Sequence, residues 1–141
     1  PSTSAVPSGG AVPSGGAGPG GTRLVGVGSG RCLTPPGQRG RSATIADCAG
    51  QTMSMTTSGR IVFNGRCLDA SGARTGNGTP VTVWRCHGGA NQQWRMQADG
   101  AIVGVQSGRC LDVDAALTSA GARVQLWDCH GGSNQRWALR G

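Results

Sequence analysis

The chain reads as an all-β protein built from three like units closed about a common axis, and three observations say so. Short apolar alternations of period two recur, as in Val81-Thr82-Val83-Trp84 and Val124-Gln125-Leu126-Trp127. Turn clusters such as Ser71-Gly72-Ala73 and Thr75-Gly76-Asn77-Gly78 separate them, and no segment has a convincing helical period. The nearest to one, Asp114-Ala115-Ala116-Leu117, is a single turn. Finally, Arg66-Cys67-Leu68-Asp69 through Trp84, Cys86-His87-Gly88-Gly89 and Asn91-Gln92-Gln93-Trp94 returns 43 residues later as Arg109-Cys110-Leu111-Asp112 through Trp127, Cys129-His130-Gly131-Gly132 and Asn134-Gln135-Arg136-Trp137. A worn first copy, Arg31-Cys32-Leu33 with Cys48 and Gln51, precedes them. Units of about 40 residues are too small to own a core each, so they must share one, and any surface that one unit carries is repeated.

The front of the chain belongs to none of this. Residues 1–21 hold four of the 7 Pro, no charge, and the duplicated phrase Ala5-Val6-Pro7-Ser8-Gly9-Gly10 and Ala11-Val12-Pro13-Ser14-Gly15-Gly16. Nothing there offsets the entropy of ordering, so 1–21 is expected to be a disordered Pro/Gly/Ser linker. A linker implies an N-terminally linked domain that is not in this chain. Residues 22–141 form the folded part, divided at 22–60, 61–103 and 104–141.

Composition makes the core lean: among 141 residues are 4 Trp, 1 Phe and no Tyr. Six Cys in three equally placed pairs, Cys32 with Cys48, Cys67 with Cys86 and Cys110 with Cys129, read as disulfides that compensate, which places the protein in a secreted or extracellular setting. All 13 basic residues are Arg and all 6 acids Asp, for a net charge of +7. The arginines are scattered and form no stripe, so nucleic acid is not the expected partner. No stretch reaches the roughly 20 apolar residues of a membrane span, so no membrane insertion is expected. A monomer is expected, and no cofactor or metal is called for, because each His abuts a Cys instead of standing at zinc-ligand spacing.

Pairing arithmetic then suggests a site. With Cys110 directly opposite Cys129, Asp112 faces Trp127 and Asp114 faces Gln125; in the middle unit Asp69 faces Trp84, while in the first Thr34 faces Ala46. Leu111, Val113, Val124 and Leu126 point inward. A sugar offers one apolar ring face and a rim of hydroxyls, so it needs a flat aromatic platform beside acceptors and donors. Asp112, Gln125, Trp127 and Asn134 meet that need within one unit. Trp94 and Trp137 are expected in the core. Asp112 and Asp114 stand roughly 7 Å apart along a strand, within reach of an inverting glycosidase pair, but Ser71 replaces the second acid in the sister unit and a shallow surface lacks the cleft acid catalysis needs.

Gln92-x-Trp94 and Gln135-x-Trp137, each after an Asn and each closing a Cys-paired repeat, resemble the Gln-x-Trp repeats of ricin B-chain-type lectins, known in microbes as family 13 carbohydrate-binding modules. The resemblance covers residues 22–141. It implies a β-trefoil with pseudo-threefold symmetry, whose subdomains α, β and γ each hold one shallow sugar site. Carried over position by position, the site is Asp112, Gln125, Trp127, Asn134 and Gln135 in γ, and Asp69, Trp84, Asn91 and Gln92 in β, where Thr82 stands in place of Gln. His87 and His130 match a position that contacts sugar in some microbial members. In α, Thr34 and Ala46 replace the carboxylate and the platform and Gln51-x-Met53 replaces Gln-x-Trp, so this site is expected to be degenerate, with Met53 in the core slot of the two tryptophans. The expected function is a non-enzymatic lectin module that targets an attached secreted protein, such as a glycoside hydrolase, to galactose-, xylose- or arabinose-containing polysaccharide. The alternative is a protein-interaction or anionic-polymer-binding β-trefoil.

Overall fold

The computed structural model describes residues 21–38 and 40–141. The expected linker therefore lies outside the described residues, apart from Gly21. Twelve short strands follow in order: β1 (Arg23–Gly26), β2 (Cys32–Thr34), β3 (Thr44–Ala46), β4 (Ser54–Met55), β5 (Ile61–Phe63), β6 (Arg66–Ala70), β7 (Val81–Arg85), β8 (Trp94–Met96), β9 (Ile102–Gly104), β10 (Cys110–Val113), β11 (Val124–Trp127) and β12 (Trp137–Arg140). The helical content among the described residues is four single 3-10 turns, and no helix there is long and apolar enough to cross a membrane.

These strands make three four-stranded antiparallel sheets, ordered β12-β1-β2-β3, β4-β5-β6-β7 and β8-β9-β10-β11, so each sheet takes its first strand from the preceding unit. The C-terminal β12 lies along the N-terminal β1, with Trp137 opposite Gly26 and Arg140 opposite Arg23. Bridges Thr22 to Met53 and Ala101 to Arg136, with the Trp94 amide bonded to the Gly59 carbonyl at 2.8 Å, join β1 to β4, β9 to β12 and β5 to β8. Six strands thus close into a ring with no free edge, and closure of that kind removes a template for aggregation. The hairpins β2–β3, β6–β7 and β10–β11 meet at one end through β3, β7 and β11. There the Ala43 amide donates to Val81, that of Val124 to Ala43 and that of Leu126 to Thr79. The architecture is a β-trefoil. Its third unit opens with β9 at Ile102, two residues before the expected division at 104.

One core serves all three units: Leu24, Leu33, Ile45, Met53, Ile61, Phe63, Leu68, Val81, Trp94, Ile102, Leu111, Val113, Val124, Leu126 and Trp137 form a single buried cluster. Trp94 and Trp137 are sunk in it as expected, their indole N–H groups donating to the Leu68 carbonyl at 3.0 Å and the Leu111 carbonyl at 3.1 Å. Met53 occupies the third such slot. The smaller volume of Met53 is offset from across the sheet. Trp137 lies over Gly26 and Trp94 over Gly104, where an added Cβ would already be in van der Waals contact with the indoles at 3.6 and 3.5 Å. Continuing the β4–β5 register by one residue puts Phe63 opposite Met53, so the ring is supplied by the facing strand.

This swap comes with a shorter hairpin. Phe63 and Arg66 are joined by Asn64-Gly65, both at positive φ (51° and 79°), whereas four residues separate Gly26 from Arg31 and Gly104 from Arg109. Asn-Gly is the sequence that favours a two-residue hairpin turn. Consequently Val27 and Val105 are exposed turn residues and Val62 is a strand residue, although all three stand at the same distance before a Cys.

Candidate functional site

Strand parity sets the site. In β6 and β10 the side chains of Leu68, Leu111 and Val113 go to the core and those of Cys67, Asp69, Cys110 and Asp112 to the other face. Disulfides join Cys32 to Cys48, Cys67 to Cys86 and Cys110 to Cys129, all within one unit, with Cα separations of 5.0 to 5.1 Å.

The register differs from the direct opposition of bridged cysteines. Cys67 lies opposite Trp84 and Cys110 opposite Trp127, which sets Asp69 against Thr82 and Asp112 against Gln125; in α, Cys32 opposes Ala46 and Thr34 opposes Thr44. Cys86 and Cys129 stand just beyond the ends of β7 and β11, where the chain curls back across the partner strand. The displacement is two residues, an even number, so every side chain keeps its face while its direct neighbour changes.

The second difference is depth. Asp69 and Asp112 are buried, at 5% and 3% exposure, while Trp84 and Trp127 are 36% and 40% exposed. Acid and indole are therefore floor and wall of a pit and do not both face water. The pit in β, about 470 Å³, is lined by Asp69, Thr82, Trp84, His87, Asn91 and the Ser71–Ala73 turn, with Gly40 at its edge. That in γ, about 370 Å³, is lined by Asp112, Gln125, Trp127, His130, Asn134 and the Asp114–Ala116 turn. These turns form walls the residue-by-residue reading missed, although both segments were legible as turns. They are bent by positive φ at Gly72 (65°), Ala73 (57°), Ala115 (55°) and Ala116 (54°), an uncommon conformation for alanine.

Gln92 and Gln135 are buried beneath the pits and line neither. The Gln92 amide donates to Asp69 Oδ2 and to the Arg85 carbonyl, both at 2.9 Å, while its oxygen accepts the His87 amide at 2.9 Å. Gln135 repeats this with Asp112 Oδ2, the Asp128 carbonyl and the His130 amide at 2.8, 2.8 and 2.9 Å. Asn91 and Asn134 donate to the same Oδ2 atoms at 3.2 Å and to the carbonyls of Ala70 and Val113. These bonds all fall on Oδ2, and among the described residues Asp69 Oδ1 accepts no protein hydrogen bond. Gln125 donates to Asp112 Oδ1 at 3.2 Å and to Asp114 Oδ1 at 3.4 Å; Thr82, in its place in β, instead donates to the Arg41 carbonyl at 2.7 Å. Burial raises the Asp69 pKa above its ordinary 3.8, outweighing the hydrogen bond from Gln92, the nearby His87 and the bond from Asn91.

The doubled glycine explains the histidines. Gly88 and Gly131 have φ of 78°, and the following Gly89 and Gly132 donate their amides to Nδ1 of His87 and His130 at 3.0 Å. A Cβ on Gly89 or Gly132 would fall 2.6 or 2.7 Å from the imidazole Cε1, so this close packing needs glycine. With Nδ1 accepting, the neutral ring carries its proton on Nε2, which lies 3.7 Å from Asp69 Oδ2 in β and 3.8 Å from Asp112 Oδ2 in γ.

Subdomain α keeps the glutamine clamp without a carboxylate for it to hold. Gln51 donates to Thr34 Oγ1 at 3.0 Å and to the Asp47 carbonyl at 2.8 Å, and accepts the Ala49 amide. Above it Thr34 and Thr44, with Pro35, Pro36, Arg41 and Arg123, line a wide depression of about 760 Å³ with no carboxylate or indole in its wall. Among the described residues no three His, Cys, Asp or Glu cluster as metal ligands would.

Comparison with known proteins agrees with this geometry. The family described as "Ricin-type beta-trefoil lectin domain" matches residues 20–137. A designed threefold-symmetric protein, ThreeFoil, superposes with a TM-score of 0.78 at 32% identity over 86% of this chain and 99% of its own. The exo-β-1,3-galactanase 1,3Gal43A from Clostridium thermocellum does so with a TM-score of 0.68 at 27% identity, over 84% of this chain and 29% of its own. A Salmonella typhimurium protein described as "Probable lipoprotein EnvE" is 44% identical over 48 residues, 34% of this chain, and the match spans 27% of that relative's length.

Proposed function

The chain belongs to the ricin-type β-trefoil lectin domain family, a family of carbohydrate-binding modules, and from that premise we propose that subdomains β and γ each hold one shallow sugar site while α holds none. The observation that carries the reading is the duplicate pit. Two units separated in sequence bring the same Asp, Trp, Asn and His to one hollow and hold the same carboxylate oxygen with the same buried Gln.

Each group has a task in sugar recognition. Trp84 and Trp127 stack on the apolar ring face; Asp69 and Asp112 accept one or two hydroxyl protons through the oxygen turned to the pit. Asn91 and Asn134, their amide hydrogens already committed, offer Oδ1 as an acceptor, and the Nε2–H groups of His87 and His130 donate at the rim. Gln125, its amide hydrogens likewise committed to Asp112 and Asp114, adds an Oε1 acceptor in γ that β lacks. Gln92 and Gln135 are positioning residues, since their own polar atoms are used within the protein. The same Gln serves Thr34 in α, where there is no carboxylate to present, which supports that division of labour.

A hollow of this depth, gripping one or two sugar units, reaches about millimolar affinity, near −4 kcal/mol. Two such hollows on one polymer raise the apparent affinity roughly 10² to 10⁴-fold. The module therefore suits retention on galactose-, xylose- or arabinose-containing polysaccharide, with a secreted partner domain joined through the Pro/Gly/Ser segment. The galactanase relative, of which the matching domain is 29%, and the three disulfides support that arrangement. No catalytic role is assigned to Asp112 and Asp114, because the first is held by three side-chain amides and the hollow is open to water.

The test is retention on immobilised polysaccharide of residues 1–141 carrying Trp84→Ala, Trp127→Ala or both. Each single change is expected to weaken retention and the pair to abolish it, with circular dichroism confirming the fold. Undiminished retention by the folded double variant sinks the assignment. The net charge of +7 favours a second reading, attraction to anionic polymers, which a salt series separates, because stacking on neutral sugar survives ionic strengths that strip an arginine-driven complex.

A further inference from the structure

The Arg of each Gly-Arg-Cys phrase occupies one symmetric position, and the residue across the hairpin differs in one unit only. In α, Arg31 is ion-paired with Asp47; in γ, Arg109 Nε lies 3.2 Å from Asp128 Oδ1. In β the facing residue is Arg85, in register with Arg66. Like charges directly opposite on a strand pair are destabilising, so this unit carries a repulsion that its two sisters replace by attraction. Arg31 and Arg109 also donate to neighbouring loops, at Thr118 and at Thr75 and Asn77. Among the described residues, neither guanidinium of Arg66 and Arg85 is ion-paired or donates a hydrogen bond.

Both side chains are exposed, and with Asn64, Gly65 and Trp84 they line a depression of about 500 Å³. Trp84 is also the wall of the sugar pit in β, so one indole separates the two hollows. Successive strand residues leave opposite faces, but at the end of β7 both Trp84 and Arg85 reach this rim. The shortened Asn64-Gly65 hairpin forms part of the same wall beside Arg66.

We propose that the Arg66–Arg85 pair is an anion subsite, which takes the carboxylate of a uronic acid or a sulfate ester on the sugar next to the one stacked on Trp84. Two guanidinium side chains lining one depression offer N–H donors suited to either oxyanion, and occupancy turns their repulsion into two charge-assisted contacts. This rests on the sugar site of β being real. It makes subdomain β selective for acid-bearing glycans, while γ, whose equivalent Arg is neutralised by Asp128, is indifferent to charge there.

Calorimetry on the full chain, with Trp127→Ala to silence γ, tests it. The probes are galactan and xylan oligosaccharides, each neutral, bearing one glucuronate, or bearing one sulfate. At roughly 0.02 M salt the glucuronate or sulfate form is expected to bind about five to tenfold tighter than its neutral partner, the two acids telling which oxyanion fits, and the advantage shrinks at roughly 0.3 M. Arg66→Asp, which recreates the opposite-charge pair of α and γ, is expected to erase the advantage and leave neutral binding unchanged; Arg85→Asp is the second variant. An acid advantage that survives both substitutions, or that survives Trp84→Ala, overturns the proposal. Neutral binding with no acid advantage sinks this inference alone, whereas absence of any neutral binding sinks the sugar site itself.

Discussion

At the scale of single residues, the buried carboxylates govern what the pits do. Asp69 has its pKa raised by burial, so the native protein holds this proton more tightly than the unfolded chain does. The sign follows: this group favours the fold most below the ordinary carboxylate value of 3.8, and that contribution is lost as pH rises through the raised folded value. Sugar binding runs the other way, because the ionised form is the one that accepts hydroxyls. Affinity at β, isolated by Trp127→Ala, is expected to fall as pH drops through that raised value, and Asp69→Asn to flatten the profile; titration calorimetry between pH 3 and 7 checks both. The glutamines are the other lever. Gln135→Ala leaves the Asp128 carbonyl and the His130 amide without their side-chain partner and Asp112 Oδ2 with only the bond from Asn134. A loss of roughly 2 to 4 kcal/mol is expected in urea unfolding, together with weaker binding at γ, although the side chain never reaches the ligand.

At the scale of elements, the three units solve one packing problem in two ways. Trp94 over Gly104 and Trp137 over Gly26 give a large residue from one strand and nothing from the next; Met53 opposite Phe63 divides the volume between both. Either division fills the space, but mixing them does not. Met53→Trp against the native Phe63 is expected to overpack and cost about 1 to 3 kcal/mol. Adding Phe63→Gly is expected to recover part of that, a coupling that a double-mutant cycle in denaturant measures directly. The pit walls carry their own strain. Ala115 at φ 55° sits where glycine is easier, and Ala115→Gly is expected to raise stability by about 1 kcal/mol.

At the scale of the whole molecule, closure matters more than any unit. The ring is completed only when β12 pairs with β1, so removing residues 137–141 is expected to abolish cooperative unfolding and to do more than fray one edge. The disulfides act within units, at sequence separations of 16, 19 and 19, and each constrains the unfolded chain by roughly 3 kcal/mol. With so lean a core, reduction of all three is expected to unfold the protein at 37 °C, visible as loss of the near-ultraviolet tryptophan signal. The same threefold plan repeats the pit in β and γ, and the bivalence proposed for polymer retention rests on that repetition.

Repetition and parity were readable before any coordinates. The doubled Cys-Leu-Asp and Asn-Gln-x-Trp phrases, the Met at 53 and the period-two runs already identified the three-unit all-β plan, the intra-unit bridges, the core and outer tryptophans and a first copy that lacks the carboxylate and the indole. Those features depend on residue type and on which face a side chain takes, and both are local. What lay beyond local pattern was distance across the chain. Nothing in the spacing of two cysteines says that a bridge is made past the end of a strand, so the facing residue moved by two and Asp112 met Gln125. Depth likewise depends on segments about 15 to 25 residues further along the same unit folding back over the strand, which put Asp69 and Asp112 at the bottom of pits and their glutamines underneath. Phe63 opposite Met53, and Arg66 opposite Arg85, are of the same kind. A side chain's face is decided by its own strand, whereas its neighbour and its burial are decided only when distant segments fold back on that strand, within the unit for the pits and across units for the core.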